Sequence, residues 1–432
     1  MKIIYLPDLA AMAFLLLILY SLRRRHLQEG VGLWIVGLVF IFIEAIAHSL
    51  YSVSGPLHIP THVVALDSYL AAGMIFLWAA TQGLFPRRPT LTYLAASTLP
   101  LAILETVYAF DVRNPLLYQQ IAGLGLLLGL ATPVVLTGSL HLRRAWWLVL
   151  VQVVLWGSVW GFASNHLFRD TAYFPLFLLY LSVAVVFGMS LPRKSLGRLT
   201  ILTSFTIWSL VFLVHAWVSN HPQFTEFTSS IWDWQKFFVT IGMVLVMLER
   251  QVASNEWYAH HDQLTGLPNR RLFEEKLEEA LLKAHRTGTR IAIAMMDLDG
   301  FKAVNDSHGH EAGDHLLKHI AGGLRQAVRL TDTLARLGGD EFILVATGLP
   351  IDLPSDQIAK MVSERLHDTL RRPFHAGGMS YSIGASVGVA VYPDDATDEM
   401  HLRRLADLRM YQQKRQDKVP SLATDIAKHF NA

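Results

Sequence analysis

Residues 333–346 read Thr-Leu-Ala-Arg-Leu-Gly-Gly-Asp-Glu-Phe-Ile-Leu-Val-Ala, which is two apolar segments on either side of Gly338-Gly339. Short apolar segments bounded by turn residues predict strands, and a glycine pair between them allows a tight turn with positive φ. Asp340 and Glu341 follow the glycines directly. The stretch therefore predicts a β-hairpin that carries two carboxylates at its tip.

The residues around this hairpin alternate between helical and strand-like patterns from about residue 262. We predict helices near 270–286, 311–328, 355–371 and 401–415, and strands near 291–296 and 379–391. The first strand ends in Asp297 and Asp299. An acidic pair there is unsuited to a hydrophobic core but suits Mg²⁺, which prefers hard oxygen ligands. The final helix carries Lys414 and, if it extends far enough, Lys418 on the same face, where the pair could neutralise phosphates.

Together these motifs resemble the GGDEF family of bacterial diguanylate cyclases. The resemblance covers about residues 260–418 and includes the sequence from His261 to Arg270, the run from Asp297 to Asp314, and an intact Gly338–Phe342. It implies a C-terminal α/β domain of the polymerase-palm and nucleotidyl-cyclase type. Such a domain has a central, mostly antiparallel sheet with surrounding helices.

The resemblance also implies a catalytic and metal-binding set. Asp297, Asp340 and the carbonyl group of Leu298 would hold two divalent ions, Mg²⁺ or Mn²⁺, at each GTP site. Glu341 would activate the ribose 3′-hydroxyl or support the metals. The sequence does not divide these tasks between Asp340 and Glu341.

A second implied set binds the substrate. Lys302, Lys414 and Lys418 would contact the β- and γ-phosphates, while Asn305 and Asp314 would read the guanine base. A carboxylate can accept hydrogen bonds from guanine N1–H and the 2-amino group, which adenine lacks. At one point the sequence departs from the family pattern, because Asp417-Lys418 stands where Gly-Arg is usual. Lysine keeps the positive charge but loses bidentate phosphate recognition.

Cyclic di-GMP contains two guanylates, so two domains must face each other, and the resemblance implies a two-fold homodimer. Arg329 and Asp332 match the RxxD product-inhibition site of the family, with Arg365 as a secondary contact. The predicted function is thus a product-inhibited diguanylate cyclase controlled by a signal. The alternative is a catalytically silent GGDEF domain that acts as a receptor or scaffold for GTP or cyclic di-GMP. A mixed purine product is disfavoured by Asp314.

The whole chain is too apolar for an ordinary soluble protein, since 52% of its residues are hydrophobic and 17% are charged. The formal net charge is only +2, and no basic stripe with interleaved aromatic residues is present, so we expect no nucleic acid polymer as a partner. The chain contains no cysteine, which excludes disulfides and zinc–thiolate sites.

Long apolar runs before residue 250 predict an all-α, polytopic membrane domain in contact with the lipid bilayer. A membrane span needs about 20 mostly apolar residues. Nine segments qualify: 4–22, 32–52, 64–85, 90–109, 116–139, 146–167, 173–191, 200–218 and 230–248. The first lacks a small-residue cleavage site, so we interpret it as a span rather than a signal peptide.

Basic residues alternate between the loops of this domain. Four loops are basic, and they carry Arg23-Arg24-Arg25, Arg87-Arg88, Arg143-Arg144, and Arg193-Lys194 with Arg198. The loops between them carry only Arg113 and Arg169, which lie close to Asp111 and Asp170. Because basic loops favour the cytoplasmic side, we predict an external N-terminus and a cytoplasmic C-terminal domain at the bacterial inner membrane.

Ionisable residues within spans are costly and are candidates for function. The predicted spans contain Glu44, His48, Asp67, Glu105 and His215, all in the outer half of the bilayer under this topology. One hypothesis is a ligand or metal pocket that opens to the outside and makes this half a sensor. The other is that these groups pair with each other and lock the helices together. A transporter is disfavoured because no internal repeat is evident.

A short heptad-like stripe follows the last span, formed by Leu245, Leu248, Val252, Asn255 and Ala259. It predicts either a two-helix stalk or an ordinary amphipathic helix. The predicted organisation is a sensory membrane domain (1–248), a signalling helix linker (249–261), a catalytic domain (262–418) and a C-terminal tail (419–432).

Overall fold

The computed structural model describes residues 6–25, 31–51, 55–82, 84–85, 87–136, 146–371, 374–376, 379–381 and 383–430. The chain forms two compact units, Met1–Gln251 and Val252–Ala432, each with its own hydrophobic core.

The described part of the N-terminal unit is helical. Its long helices are α1 (Leu6–Arg25), α2 (Val31–Leu50), α3 (His58–Thr81), α4 (Arg87–Ala109), α5 (Pro115–Leu136), α6 (Trp146–Ser164), α7 (Phe168–Ser190), α8 (Leu196–Ser219) and α9 (Thr225–His260). Each predicted span coincides with one of these helices. The loop that contains Arg143-Arg144 lies outside the described residues.

Six helices in the described part of the chain are long and apolar enough to cross a membrane: α2, α3, α4, α7, α8 and the Ser230–His260 portion of α9. The apolar portions of α1, α5 and α6 are shorter, at Pro7–Ser21, Pro115–Ala131 and Val149–Ser164. Large apolar side chains such as Phe14, Leu127 and Leu210 are exposed on the surface of the unit. A surface of this kind suits contact with lipid. The count of nine crossings stays a prediction.

Helix α9 is continuous from Thr225 to His260, so the predicted last span and the predicted linker are one helix. The heptad-like stripe continues along it, and Leu248 and Val252 are 45% and 55% exposed. These apolar side chains leave a face of the helix without a partner among the described residues. That face is where a second copy would pack if the stalk prediction holds.

The C-terminal unit is an α/β domain. Its helices are α10 (Arg270–Thr287), α11 (Phe301–His308), α12 (His310–Ala327), α13 (Ser355–Leu370) and α14 (Glu399–Phe430). Its strands are β1 (Ile291–Asp299), β2 (Thr333–Gly338), β3 (Glu341–Ala346), β4 (Phe374–Ala376), β5 (Met379–Tyr381) and β6 (Gly384–Tyr392). The main sheet has the order β2-β3-β1-β6 and is antiparallel throughout, while β4 and β5 form a separate hairpin. The predicted antiparallel α/β fold is confirmed.

Alternate residues of the strands face opposite sides of the main sheet, as the two-residue period of a strand requires. Ala294 and Met296 of β1 lie in a core with α12 and α13. Ile293 and Met295 lie in a second core with α10 and α14. This alternation decides the face on which each residue at the end of β1 lies.

Two helical predictions in this unit were incomplete. The predicted helix near 311–328 is α12, but α11 precedes it and was missed. Gly309 has φ of +83°, which separates the two helices and permits the sharp change of direction. The predicted helix near 401–415 is α14, which extends to Phe430 and so through most of the predicted tail.

Candidate active site

The end of β1 and the β2–β3 turn lie side by side at one edge of the main sheet. Asp297 of β1 is directly opposite Glu341 of β3 in the antiparallel register. The amide of Leu298 donates to the carbonyl oxygen of Asp340 at 3.3 Å. The structure therefore brings together the two acidic motifs, which are more than 40 residues apart in sequence.

The glycine pair forms the turn as predicted. Gly338 and Gly339 have φ values of +144° and +53°, which side chains on other residues disfavour. Arg336 of β2 stabilises this turn, because its Nε and Nη2 atoms donate to the Gly339 carbonyl oxygen at 3.0 and 2.7 Å. Its Nη1 atom donates to Asp262 Oδ1 at 2.9 Å.

Asp262 belongs to the opening turn of the domain, which we define as residues 261–269. Its carboxylate also accepts from the amide and the hydroxyl of Thr265, at 2.9 and 2.6 Å. Burial raises the pKa of Asp262, but the Thr265 and Arg336 hydrogen bonds outweigh it, so the net pKa lies below its ordinary value. Sequence reasoning assigned no role to Arg336. The available signal was a lone arginine within an apolar strand.

Lys414 reaches the same edge from α14. Its Nζ atom donates to Asp297 Oδ1 at 2.5 Å. Asp297 is reachable because it continues the β1 face that packs on α14, together with Ile293 and Met295. Burial lowers the pKa of the Lys414 ammonium, but the Asp297 hydrogen bond and the charges of Asp297, Asp340 and Asp299 outweigh it and raise the pKa.

The carboxylates of Asp297 and Asp340 do not by themselves form a complete metal site. Within the described ranges, no three His, Asp or Glu side chains converge as metal ligands. Mg²⁺ is commonly held by one or two carboxylates together with substrate phosphates and water. Asp297 and Asp340 form a donor set of that partial kind, so they fit a divalent ion that arrives with a nucleotide. Asp299 instead accepts from Ser386 Oγ at 2.9 Å.

The predicted guanine-reading residues lie on α11 and α12. Asn305 packs against Gly313 so closely that a Cβ atom built on Gly313 would lie 1.9 Å from Asn305 Oδ1. This Oδ1 atom is buried and has no hydrogen-bond partner among the described residues. Asp314 follows Gly313 and is exposed, as is Lys302 on α11. Asn305 therefore offers an unused acceptor next to Asp314.

The backbone of Lys418 belongs to α14, but the structure does not describe the side chains of Asp417 and Lys418. The predicted phosphate contact of Lys418 stays a prediction.

Arg329 and Asp332 form a compact turn before β2. Asp332 Oδ2 accepts from the Arg329 amide at 3.0 Å and from Arg365 Nη2 at 3.3 Å, while its Oδ1 accepts from the Thr347 amide at 3.0 Å. The Asp332 side chain is only 1% exposed. Both of its oxygens thus stabilise the turn. The structure brings the predicted secondary contact, Arg365, next to this turn.

Residues 259–419 match the family described as "Diguanylate cyclase, GGDEF domain". The C-terminal unit is a GGDEF domain.

Relatives are similar over this domain. The bifunctional diguanylate cyclase/cyclic di-GMP phosphodiesterase MucR of Pseudomonas aeruginosa is 44% identical over 158 residues, which are 37% of this chain and 22% of that protein. Diguanylate cyclase TpbB of the same species is 38% identical over 169 residues, which are 39% of this chain and 38% of that protein. The chain thus covers between 22% and 38% of the length of these relatives. The chain is also similar to the solved structure of a sensory box/GGDEF family protein from Caulobacter crescentus. The two are 38% identical, the similarity covers 36% of this chain and 99% of that chain, and the TM-score is 0.35.

Outside the GGDEF domain, the five ionisable residues predicted within spans separate into different environments. Glu44 of α2 is buried and forms an ion pair with Lys236 of α9 at 3.1 Å. Lys236 also pairs with Asp233 at 3.1 Å. Sequence reasoning missed both α9 residues, although they lie within the predicted span 230–248. His48 is exposed and lines a small cavity near Lys236.

The other three residues are not joined to that ion pair. Glu105 of α4 is fully buried, and Asp67 of α3 accepts from Thr106 Oγ1 at 3.4 Å. His215 of α8 stacks on Tyr173 of α7 with 4.0 Å between the ring centroids. Glu44 therefore has an ion-pair partner outside the predicted set, Lys236, and a pocket shared by the five residues stays a prediction.

Proposed function

We propose that this protein is a membrane-bound diguanylate cyclase that converts two GTP molecules into cyclic di-GMP and two pyrophosphates. The observation that carries the proposal is the convergence of Asp297, Asp340, Glu341 and Lys414 at one sheet edge. Acidic and basic groups arranged in this way suit a metal-bound triphosphate. The names of MucR and TpbB, which are similar over the same residues, support this function.

The reaction forms two phosphodiester bonds. The 3′-oxygen of each GTP attacks the α-phosphorus of the other, and the bond from that phosphorus to the β-phosphate oxygen breaks and releases pyrophosphate. Glu341 accepts the 3′-hydroxyl proton or orients the group that does. Lys414 and Lys302 offset negative charge on the phosphates, and Asn305 and Asp314 orient the guanine base.

Asp297 and Asp340, with the Leu298 carbonyl, are the residues that would hold divalent ions. When bound, Mg²⁺ or Mn²⁺ supplies charge neutralisation at the phosphates. We propose two ions for each GTP. Lys414, which pairs with Asp297 in this structure, would then contact a phosphate oxygen.

One domain binds one GTP, so the proposed active form is a two-fold homodimer in which the two sites face each other. The exposed Leu248 and Val252 on α9 support a stalk between the two chains. We propose that the membrane domain senses a signal and controls catalysis through this helix at the bacterial inner membrane, with the GGDEF domain in the cytoplasm.

The experiment is product analysis of the cytoplasmic fragment from about residue 250, fused to a dimerising zipper and supplied with GTP and Mg²⁺. Formation of cyclic di-GMP with pyrophosphate is expected, and Asp340→Asn should abolish turnover while the fragment stays folded. Asp352→Asn, which changes an exposed carboxylate away from the site, is the matched control. Activity of Asp340→Asn close to that of the unchanged fragment would contradict the metal-binding role.

The second candidate is a silent GGDEF domain that binds GTP or cyclic di-GMP as a receptor or scaffold. The observation that favours it is Asp417-Lys418 in place of the usual Gly-Arg. Nucleotide binding without product in the same assay would support this candidate and overturn the cyclase.

We further propose that cyclic di-GMP inhibits the enzyme at the Arg329–Asp332 turn. Because Asp332 is committed to the turn, the guanidinium groups of Arg329 and Arg365 supply most of the ligand contacts, which suits phosphate and guanine acceptors. Arg329→Ala should relieve inhibition, measured as an increase in the cyclic di-GMP concentration that halves the initial rate. Arg325→Ala, an exposed arginine on α12, is the control. Unchanged inhibition in Arg329→Ala would remove the proposed site.

A further inference from the structure

Two carboxyl groups, one buried and one half-buried, lie where α3 packs on α4. Glu105 is 0% exposed, and neither of its carboxyl oxygens has a hydrogen-bond partner among the described residues. Asp67 of α3 is half-buried and contacts α4 at Thr106, the residue after Glu105. The Asp67 Oδ2 atom accepts from Thr106 Oγ1 at 3.4 Å, whereas its buried Oδ1 has no partner in the described part of the chain.

Glu44 of the same unit provides a direct contrast. Glu44 is as buried as Glu105, but Lys236 lies 3.1 Å from its carboxylate and neutralises it. Across the described ranges, Asp67 and Glu105 form no ion pair with any lysine or arginine. Arg113, at this end of the bundle, pairs instead with Asp111 at 2.7 Å.

An ionised carboxylate without a counter-ion costs several kcal/mol in a protein interior, and more within a bilayer. Two such charges side by side would add repulsion to that cost. The pair of carboxyl groups avoids both penalties if it binds a proton, because a neutral carboxyl group is uncharged and can donate a hydrogen bond to an oxygen of the other carboxyl group. We propose that Asp67 and Glu105 form a proton-binding site in the N-terminal unit, in which at least one proton is held at neutral pH.

A series of titratable side chains connects this pair with the predicted outer end of the helices. Asp111 is exposed and lies 3.5 Å from His58 Nε2. The rings of His58 and His62 are 6.1 Å apart, and those of His62 and Tyr108 are 5.7 Å apart. The buried Nδ1 atoms of both histidines have no hydrogen-bond partner among the described residues. The series ends at Tyr108, one helical turn from Glu105.

The remaining titratable groups around Glu105 come from each helix packed on this region. They are Tyr118 of α5, Tyr173 and Arg169 of α7, and His215 of α8, which stacks on Tyr173. The tyrosines are neutral near pH 7. Within the described ranges, Arg169 forms no ion pair with Asp67 or Glu105. A proton also fits the donor set better than a metal ion, since no three metal-ligating side chains converge in the described residues.

The proposed proton-binding site does not depend on cyclase activity, and the experiment that tests it does not measure cyclase activity. The full-length protein is reconstituted in lipid nanodiscs, and infrared spectra are recorded at neutral pH. A protonated carboxyl has a carbonyl stretch that an ionised carboxylate lacks. We expect this band in the native protein and its loss in Glu105→Gln, with a shift of the remaining band in Asp67→Asn.

Glu44→Gln is the matched control. Glu44 is equally buried but paired with Lys236, so its replacement should leave the carboxyl band unchanged. The band should also decrease as the pH is raised. Absence of the band at neutral pH, or its persistence in both Glu105→Gln and Asp67→Asn, would overturn the proposal. If the band disappears at constant pH when choline is replaced by sodium, the pair binds a metal cation and the assignment to a proton is wrong.

Discussion

Arg336 lies between the opening turn and the glycine turn, and it binds both. One nitrogen of its guanidinium donates to Asp262, and two others donate to the carbonyl group of Gly339. The planar fork suits this arrangement because its donors point in fixed directions. Asp340 follows Gly339, so the position of a proposed metal ligand depends on an arginine outside the proposed catalytic and substrate-binding set.

The Asp262 carboxylate predicts a pH-dependent contribution to stability. Its folded-state pKa lies below the ordinary value of 3.8, so its contribution is complete above about pH 3.8 and is lost as the pH falls through the folded-state pKa. At neutral pH, Asp262→Asn should lower the free energy of unfolding of the fragment 252–432 by about 1–2 kcal/mol. The difference from the unchanged fragment should shrink below pH 3.8 in urea unfolding. A difference that is constant from pH 7 to pH 2 would contradict the assigned cause.

We predict that the substitution Gly313→Ala weakens the binding of GTP. In Gly313→Ala the new Cβ atom would lie 1.9 Å from Asn305 Oδ1, so Asn305 must turn away from its proposed guanine contact. The loss of one such hydrogen bond should raise the KM for GTP by roughly 3- to 10-fold. Gly322→Ala, on the same helix with open space around the new Cβ atom, is the control. Equal KM values for the two variants would contradict the role of Asn305.

At the scale of elements, α9 is held to neighbouring helices at two points along its length. Toward the predicted outer end, Lys236 pairs with Glu44 of α2. Farther along, Glu249 accepts hydrogen bonds from Ser195 Oγ and from the amides of Leu196 and Gly197 at the start of α8. These amides have no partner within their own helix, so a carboxylate there caps α8. Movement of α2 or α8 would therefore be transmitted to α9.

The ion pair between α2 and α9 predicts rescue by charge exchange. Glu44→Lys places two cations together and should destabilise the full-length protein by about 3–5 kcal/mol. In the double variant Glu44→Lys/Lys236→Glu, opposite charges again face each other, so most of the loss in thermal stability in detergent should be recovered. If the double variant is as unstable as the sum of its two single variants, the ion pair does not join the helices.

At the scale of the whole molecule, the chain combines a helical unit with a GGDEF domain through one continuous helix. Six described helices satisfy the length and hydropathy of a membrane span, and three more have shorter apolar portions. With the N-terminus outside, as the basic loops predict, an odd number of crossings places the GGDEF domain in the cytoplasm. GTP is available in the cytoplasm, so the proposed activity agrees with the external N-terminus and the odd count together.

A reporter enzyme fused after residue 432 tests this topology. A reporter that is active only in the cytoplasm should be active, and one that is active only in the periplasm should be silent. The same pair of reporters fused after Asp111, in a loop predicted to be external, should give the reverse result. An external signal from the C-terminal fusion would refute the nine-span topology.

The sequence alone predicted the hairpin at Gly338–Phe342, the acidic end of β1 and the helical character of the first 250 residues. These features are local, because turn glycines, strand alternation and long apolar runs are each visible within a few residues to about twenty. The sequence also predicted that the two acidic motifs would meet. It missed α11, since eight residues between two glycines are too short for a clear helical period.

The tertiary structure decided which groups contact each other across the fold. Arg336 binding to both turns, Lys414 lying against Asp297, and the burial of both Asp332 oxygens depend on the packing of distant segments. The same is true within the helical unit, where Glu44 has Lys236 as a partner and Glu105 has none in the described residues. Hydrophobic periodicity records which face of a helix is buried, but it does not record which charged side chain on another helix lies opposite.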